Sequence, residues 1–117
     1  MRRGEIYIAN LEPAVGNEAN QRRPVVIVSQ DAQNIVVEQL GAGLLTVVPL
    51  TGNIGRLYDF QVYLPAERTG LDRDSRAQTE LIRAISTNRL ASGCVGALPA
   101  DLMQQLDDGL KLHLGLT

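Results

Sequence analysis

This chain of 117 residues has no tryptophan, one cysteine, one histidine and one lysine, and each scarcity removes a class of function. Its aromatic residues are Tyr7, Tyr58, Phe60 and Tyr63, too few for a surface that reads single strands chiefly by stacking bases on rings. The lone Cys94 closes no internal disulfide. Without a partner base it is expected to be a small buried apolar residue rather than a nucleophile. A single histidine, His113, rules out a two-histidine ribonuclease mechanism and a histidine-rich metal site by inventory. No Walker A or dinucleotide glycine fingerprint is present, so no cofactor is expected. No apolar run reaches membrane-spanning length, and no basic-then-apolar leader opens the chain, so it reads as cytosolic with no membrane partner.

What remains is a chain 44% hydrophobic, long enough for one domain with its own core. The net charge of −2 gives no general attraction to nucleic acid, so any polyanion site must be local. Ten of the eleven basic residues are arginines, whose planar fork matches phosphate oxygens in pairs.

Apolar periodicity predicts a mainly β, α+β domain. Glu5 to Leu11 nearly alternates and reads as a first strand. A polar loop from Glu12 to Arg22 leads to the β-branched run Val25 to Val28, a second strand. Asp31 to Gly43 mixes a possible helical turn with a glycine-flanked loop and gives no clear pattern. Leu44 to Leu50 and Phe60 to Leu64 read as the third and fourth strands, with a loop at Gly52 to Gly55 between them, and Gly70 marks a turn. Ser75 to Ile85 reads as a strand flowing into a helical turn near Thr87 to Arg89, and a short strand follows around Cys94 to Leu98. From Pro99 onward, Leu102, Met103, Leu106, Leu110, His113 and Leu114 recur at helical spacing, with Asp101 in the first turn. Short strands and one terminal helix suggest a strongly bent sheet or partial barrel with the helix over one opening.

The chemistry is left to arginines and hydroxyls at strand ends, because phosphoryl transfer depends more on positioning and charge neutralisation than on a titrating side chain. Arg23 opens the second strand and Thr51 closes the third. Neighbouring strands would bring the guanidinium and the hydroxyl to one rim of the sheet. Asp72, Asp74, Asp107 and Asp108 read as solvated turn and helix faces, and His113 as a structural or solvent-facing side chain.

The ordered segments Met1-Arg2-Arg3-Gly4-Glu5-Ile6-Tyr7, Pro13, Gly16-Asn17-Glu18, Arg23-Pro24-Val25-Val26-Ile27-Val28-Ser29 and Val48-Pro49-Leu50-Thr51 resemble the MazF family of toxins, also called PemK-like or Kid-like. Gly70-Leu71, Ser75, Ile82-Arg83 and the terminal helix extend the likeness over nearly the whole chain. The resemblance implies a small SH3-like or plasmid-maintenance-toxin barrel that forms a homodimer. It implies a metal-independent, sequence-specific endoribonuclease acting on single-stranded RNA, with Arg23 and Thr51 as the catalytic pair and Glu18 beside them. It also implies a cognate MazE-like antitoxin with an acidic, disordered tail.

Asn17, Asn53, Glu80 and Arg83 are candidate RNA contacts on the same basis. Turn formation accounts equally for the two asparagines, and a surface ion pair for the other two. Leu81 stands where many members carry glutamine, which leaves base preference open. A rival from another class is a CcdB-like toxin that inhibits DNA gyrase by protein contact through a tryptophan-containing end. The absence of tryptophan disfavours it.

Overall fold

Two stretches of consecutive apolar residues, Val25 to Val28 and Val47 to Leu50 around Pro49, are buried on both faces, and this decides the architecture. In the computed structural model, which describes residues 1–117, β2 (Arg22–Ile27) lies between β1 (Glu5–Asn10) and β3 (Leu44–Thr51). The strand path runs β4 (Val62–Leu64), β5 (Ser75–Ala77), β3, β2, β1, β7 (Leu90–Ala97), with β6 (Arg83–Ser86) paired to the first half of β3. Every pairing is antiparallel. The path has two ends, so the bent seven-stranded sheet is open, the partial form of the expected barrel.

Alternation along the strands sorts the core into two layers. Ile6, Val26, Val48 and Leu50 face helix α3 (Ala100–His113), which contributes Leu102, Leu106 and Leu110. Tyr7, Ala9, Val25, Ile27, Leu45 and Val47 face the other way and are covered by Val37 of α1 (Asp31–Leu40). The predicted terminal helix is present, with its last residues turned outward: His113 and Leu114 are exposed, and only the Leu102, Leu106 and Leu110 stripe is buried with Gly109. Gly109 is a packing glycine, because a β-carbon there would stand 2.6 Å from the Phe60 carbonyl oxygen.

The full helix α1 replaces the mixed segment expected over Asp31 to Gly43. Its pattern is obscure because only Asn34 and Val37 are buried, and Asn34 is polar. Tertiary hydrogen bonds satisfy that polarity: Ser29 Oγ donates to Asn34 Oδ1 at 2.6 Å, and Asn34 Nδ2 donates to the Ser29 carbonyl at 2.8 Å. The helix ends at Gly41 in the left-handed region (φ 75°), whose N–H reaches the Val37 and Glu38 carbonyls.

The segment expected as one strand over Ser75 to Ile85 is broken into β5, a 3₁₀ turn at Thr79–Leu81 and β6. The two strands serve different parts of β3, Leu50 and Thr51 for β5 and Leu44 to Val47 for β6, so the chain must turn between them. A second short helix, α2 (Ala66–Thr69), ends at the Gly70 turn.

β7 is longer than the strand expected around Cys94, and its register with β1 shifts twice. Gly93 and Gly96 break the apolar alternation that would have revealed its length. Cys94 is exposed, contrary to the buried position expected of it, on a strand at the end of the path none of whose residues is buried. Two carboxylates read as solvated are committed. Asp107 receives both terminal nitrogens of Arg3, at 2.5 and 3.3 Å, and Asp74 accepts from the Tyr63 hydroxyl and the Ala66 N–H.

Candidate active site at the diverging ends of two strands

β2 and β3 pair as Ile27 with Val47, Val26 with Val48 and Val25 with Pro49, and there the pairing stops. Carried two residues further, the same register sets Arg23 opposite Thr51. At that point β3 turns to β5, pairing Leu50 with Ala77 and Thr51 with Arg76, while Arg23 stays paired with Ala9 of β1. The divergence opens a cavity of about 790 Å³ lined by Arg22, Arg23, Thr51, Asn53, Asp72 and Arg73, among others. The sequence reading placed Arg23 and Thr51 at one rim, and the structure brings both to this cavity.

Arg23 is aimed by the loop before it. Its Nε donates to the Asn20 carbonyl at 2.8 Å and its Nη2 to the Asn20 side-chain oxygen at 2.9 Å. Both acceptors are neutral, and no carboxylate stands within ion-pair distance, so the guanidinium charge is fixed in place without being cancelled. The loop is itself tied down. Glu12 accepts the Gln21 N–H at 2.8 Å and the Ala14 N–H at 3.4 Å, and Arg89 donates to the Asn10 and Glu12 carbonyls at 3.2 and 2.6 Å. These bonds hold Gln21 at φ 61°, in the left-handed region, and Ala19 is buried in the core.

Thr51 Oγ1 accepts the Asn53 N–H at 3.2 Å, and Asn53 Oδ1 accepts the Gly55 N–H at 3.2 Å. The threonine proton stays free to donate toward the cavity. Asn53 therefore both shapes the turn and lines the cavity. On the far wall, Asp74 anchors the approach to β5. Hydrogen bonds from the Ala66 N–H and the Tyr63 hydroxyl hold its carboxyl below the usual carboxylate range, and the same contact pushes the Tyr63 hydroxyl up.

The other sequence candidates lie outside this cavity. Glu18 is exposed, with Oε1 accepting the Val15 N–H at 2.7 Å within its own loop, and Asn17 is an exposed neighbour. Glu80 receives Gln61 Nε2 at 2.6 Å rather than pairing with Arg83, so the surface ion pair considered for these two is not formed. Sequence reasoning missed Asn20, Asp72 and Arg73. Their relation to Arg23 or Thr51 depends on loop closure and on β5 pairing, which no local spacing reveals.

Three guanidinium groups and an alcohol around an open cavity at the ends of two strands of a small antiparallel sheet are groups suited to holding a polyanion and polarising a phosphodiester. The family model of the PemK-like, MazF-like toxin of type II toxin–antitoxin systems matches residues 2–114, and the chain belongs to that family. It is 52% identical over 116 residues to endoribonuclease MazF9 of Mycobacterium tuberculosis, covering 99% of this chain and 98% of that protein. It resembles the crystal structure of MazF from Deinococcus radiodurans with a TM-score of 0.80 at 26% identity, covering 98% of this chain and 96% of that one. A mycobacterial endoribonuclease in complex with its cognate antitoxin shares the fold, with a TM-score of 0.77 at 20% identity, covering 100% of this chain and 97% of that one. Membership favours the ribonuclease over the gyrase-directed alternative.

Proposed function

We infer that this protein is an endoribonuclease, the toxin of a toxin–antitoxin pair, and that it cuts single-stranded RNA in the cavity between the ends of β2 and β3. The observation that carries the reading is the cavity shared by Arg23 and Thr51, reached from two strands by one register. In the reaction we propose, the ribose 2′-oxygen attacks the adjacent phosphorus as its proton leaves. The bond from phosphorus to the 5′-oxygen breaks, and that oxygen takes a proton from solvent, leaving a 2′,3′-cyclic phosphate and a 5′-hydroxyl.

Charge builds on the phosphoryl oxygens in the transition state, and Arg23 meets it with a fixed, unpaired cation. A guanidinium gives up its proton reluctantly, so stabilisation rather than proton transfer is its role. Thr51 donates its hydroxyl to a non-bridging oxygen. Glu18 takes the 2′-hydroxyl proton. Its Oε2 is free, but it stands outside the cavity, so the role requires the exposed Val15 to Glu18 tip of the loop to fold over bound RNA while the tied ends of the loop stay in place. Asn17 travels with that loop, and Asn53 contacts a base from the opposite wall. Glu80 and Arg83, which do not line the cavity, are left to the path of the flanking RNA.

A cavity that holds phosphate also attracts carboxylates, which supports an antitoxin with an acidic segment as the partner that blocks it. Family membership supports the same partner, as well as a homodimer acting on RNA in the cytoplasm. No helix is long and apolar enough to cross a membrane. The test is incubation of the purified protein with a long transcript in EDTA. Discrete fragments with 5′-hydroxyl ends, lost in Arg23→Ala, are expected. An intact transcript, or cleavage that survives Arg23→Ala, overturns the assignment.

A further inference from the structure

The arginines of this chain differ in how far they are committed. Arg3 and Arg68 pair with Asp107 and Asp101, Arg76 and Arg89 donate to backbone carbonyls, and Arg23 is spent partly on Asn20. Arg73 lines the cavity with no ion pair and no side-chain hydrogen bond, although Asp72 precedes it and Asp74 follows it. Asp74 is occupied by Tyr63 and Ala66.

The position of Arg73 is nevertheless well defined. Ser75, buried and at the start of β5, donates its hydroxyl to the Arg73 carbonyl at 3.4 Å, and Asp74 fastens the same stretch to α2 and to Tyr63 of β4. Its side chain lies along Gly52, the residue after Thr51. A β-carbon on Gly52 would stand 3.0 Å from Arg73 Cδ, 3.1 Å from Nη1 and 3.4 Å from Nε. Gly52 is not in the left-handed region, so its backbone does not require glycine. The empty space is filled by the arginine.

We propose that Arg73 is a second phosphate-binding group of the RNA site, holding the phosphate of a nucleotide beside the scissile linkage, and that Gly52 is a positioning residue that makes room for its guanidinium. The proposal rests on the RNA-cleaving reading above and adds to it. Arg23 meets charge that develops during reaction, whereas Arg73 meets charge present in substrate and transition state alike. Its loss therefore weakens binding and leaves the chemical step nearly unchanged.

The experiment measures kcat and KM on an RNA oligonucleotide spanning the mapped cleavage sequence. It also measures Kd by anisotropy on the same oligonucleotide with 2′-deoxyribose at the cleaved position, over a range of salt. Arg73→Ala is expected to raise KM and Kd about tenfold, the usual scale for a hydrogen bond to a charged group, with kcat held within about twofold. The slope of log affinity against log salt should flatten by about 0.7, the value for one lost phosphate contact on a single strand. Gly52→Ala should weaken binding in the same direction with the arginine still present, and should add little in the Arg73→Ala background, because both act through one contact. Arg73 is exposed, so unchanged melting of its variant confirms that folding is not the cause. Binding and salt slope unaltered in Arg73→Ala, or full additivity of the two substitutions, overturns the proposal while wild-type cleavage stands. A wild-type protein that cuts no RNA overturns the functional reading itself.

Discussion

Asn20 holds Arg23 at two points, its carbonyl oxygen 2.8 Å from Nε and its side-chain oxygen 2.9 Å from Nη2. The bond is a neutral clamp on a charged group, and it leaves Nη1 and the net charge for a ligand. A carboxylate in place of Asn20 would hold the guanidinium as well but would cancel the charge that the phosphate needs.

Asn20→Ala should therefore lower kcat by about tenfold, the scale of a lost hydrogen bond to a charged group, with a smaller change in KM. Asn20 is exposed, so the melting temperature should hardly move. Asn20→Asp should be no better than alanine despite keeping the geometry. Single-turnover cleavage rates check both, and an active Asn20→Asp would show that the free charge of Arg23 is unimportant.

Arg23→Lys retains the charge and loses the fork. Lysine cannot reach both oxygens of Asn20 and a phosphate oxygen in one plane. Its cleavage rate should fall near that of Arg23→Ala, by about a hundredfold or more, as for other preorganised donors to a developing anion. Rates equal to wild type would remove the geometric part of the argument.

Glu18→Gln tests the proton acceptor, with Asp72→Asn as the comparison because Asp72 lines the cavity and Glu18 does not. Loss of a general base costs typically about a hundredfold or more in kcat. That loss is expected in Glu18→Gln, and Asp72→Asn should lose far less. The opposite pattern would transfer the role to Asp72.

Acid should destabilise the fold through carboxylates held below their usual range. The Arg3 backbone N–H does this to Asp31, the Ala66 N–H and Tyr63 hydroxyl to Asp74, and Arg68 to Asp101. Each binds protons less readily folded than unfolded, so its contribution is complete above the ordinary carboxylate pKa of about 4 and fades as pH falls through the lower folded values. Urea midpoints should drop between about pH 4 and about pH 2, and Asp31→Asn should show a shallower drop than wild type. An equal drop in both proteins would exclude Asp31 from the acid response.

Much of the frame was legible in the residues. The β-branched run Val25 to Val28 reads as a strand, and the Leu102, Leu106 and Leu110 spacing as a helix with one face on the core. α1 escaped because its one large buried side chain besides Val37 is Asn34, which is satisfied by Ser29 from outside the helix. The division of the 75–85 segment escaped because β3 accepts two different partners along one edge, a fact of pairing that leaves no trace in local alternation.

The site divides in the same way. The sequence by itself left arginines and hydroxyls at strand ends as the candidates for phosphate chemistry, and the family resemblance singled out Arg23 at the head of β2 and Thr51 at the foot of β3. Only the tertiary structure decided which side chains share their space: Arg73 beside Gly52, Asn20 on Arg23, Glu18 turned to its own loop. Residue type and period follow from local chemistry, but the opening between β2 and β3 exists because β3 leaves one partner for another, and that exchange depends on chain segments far apart in sequence.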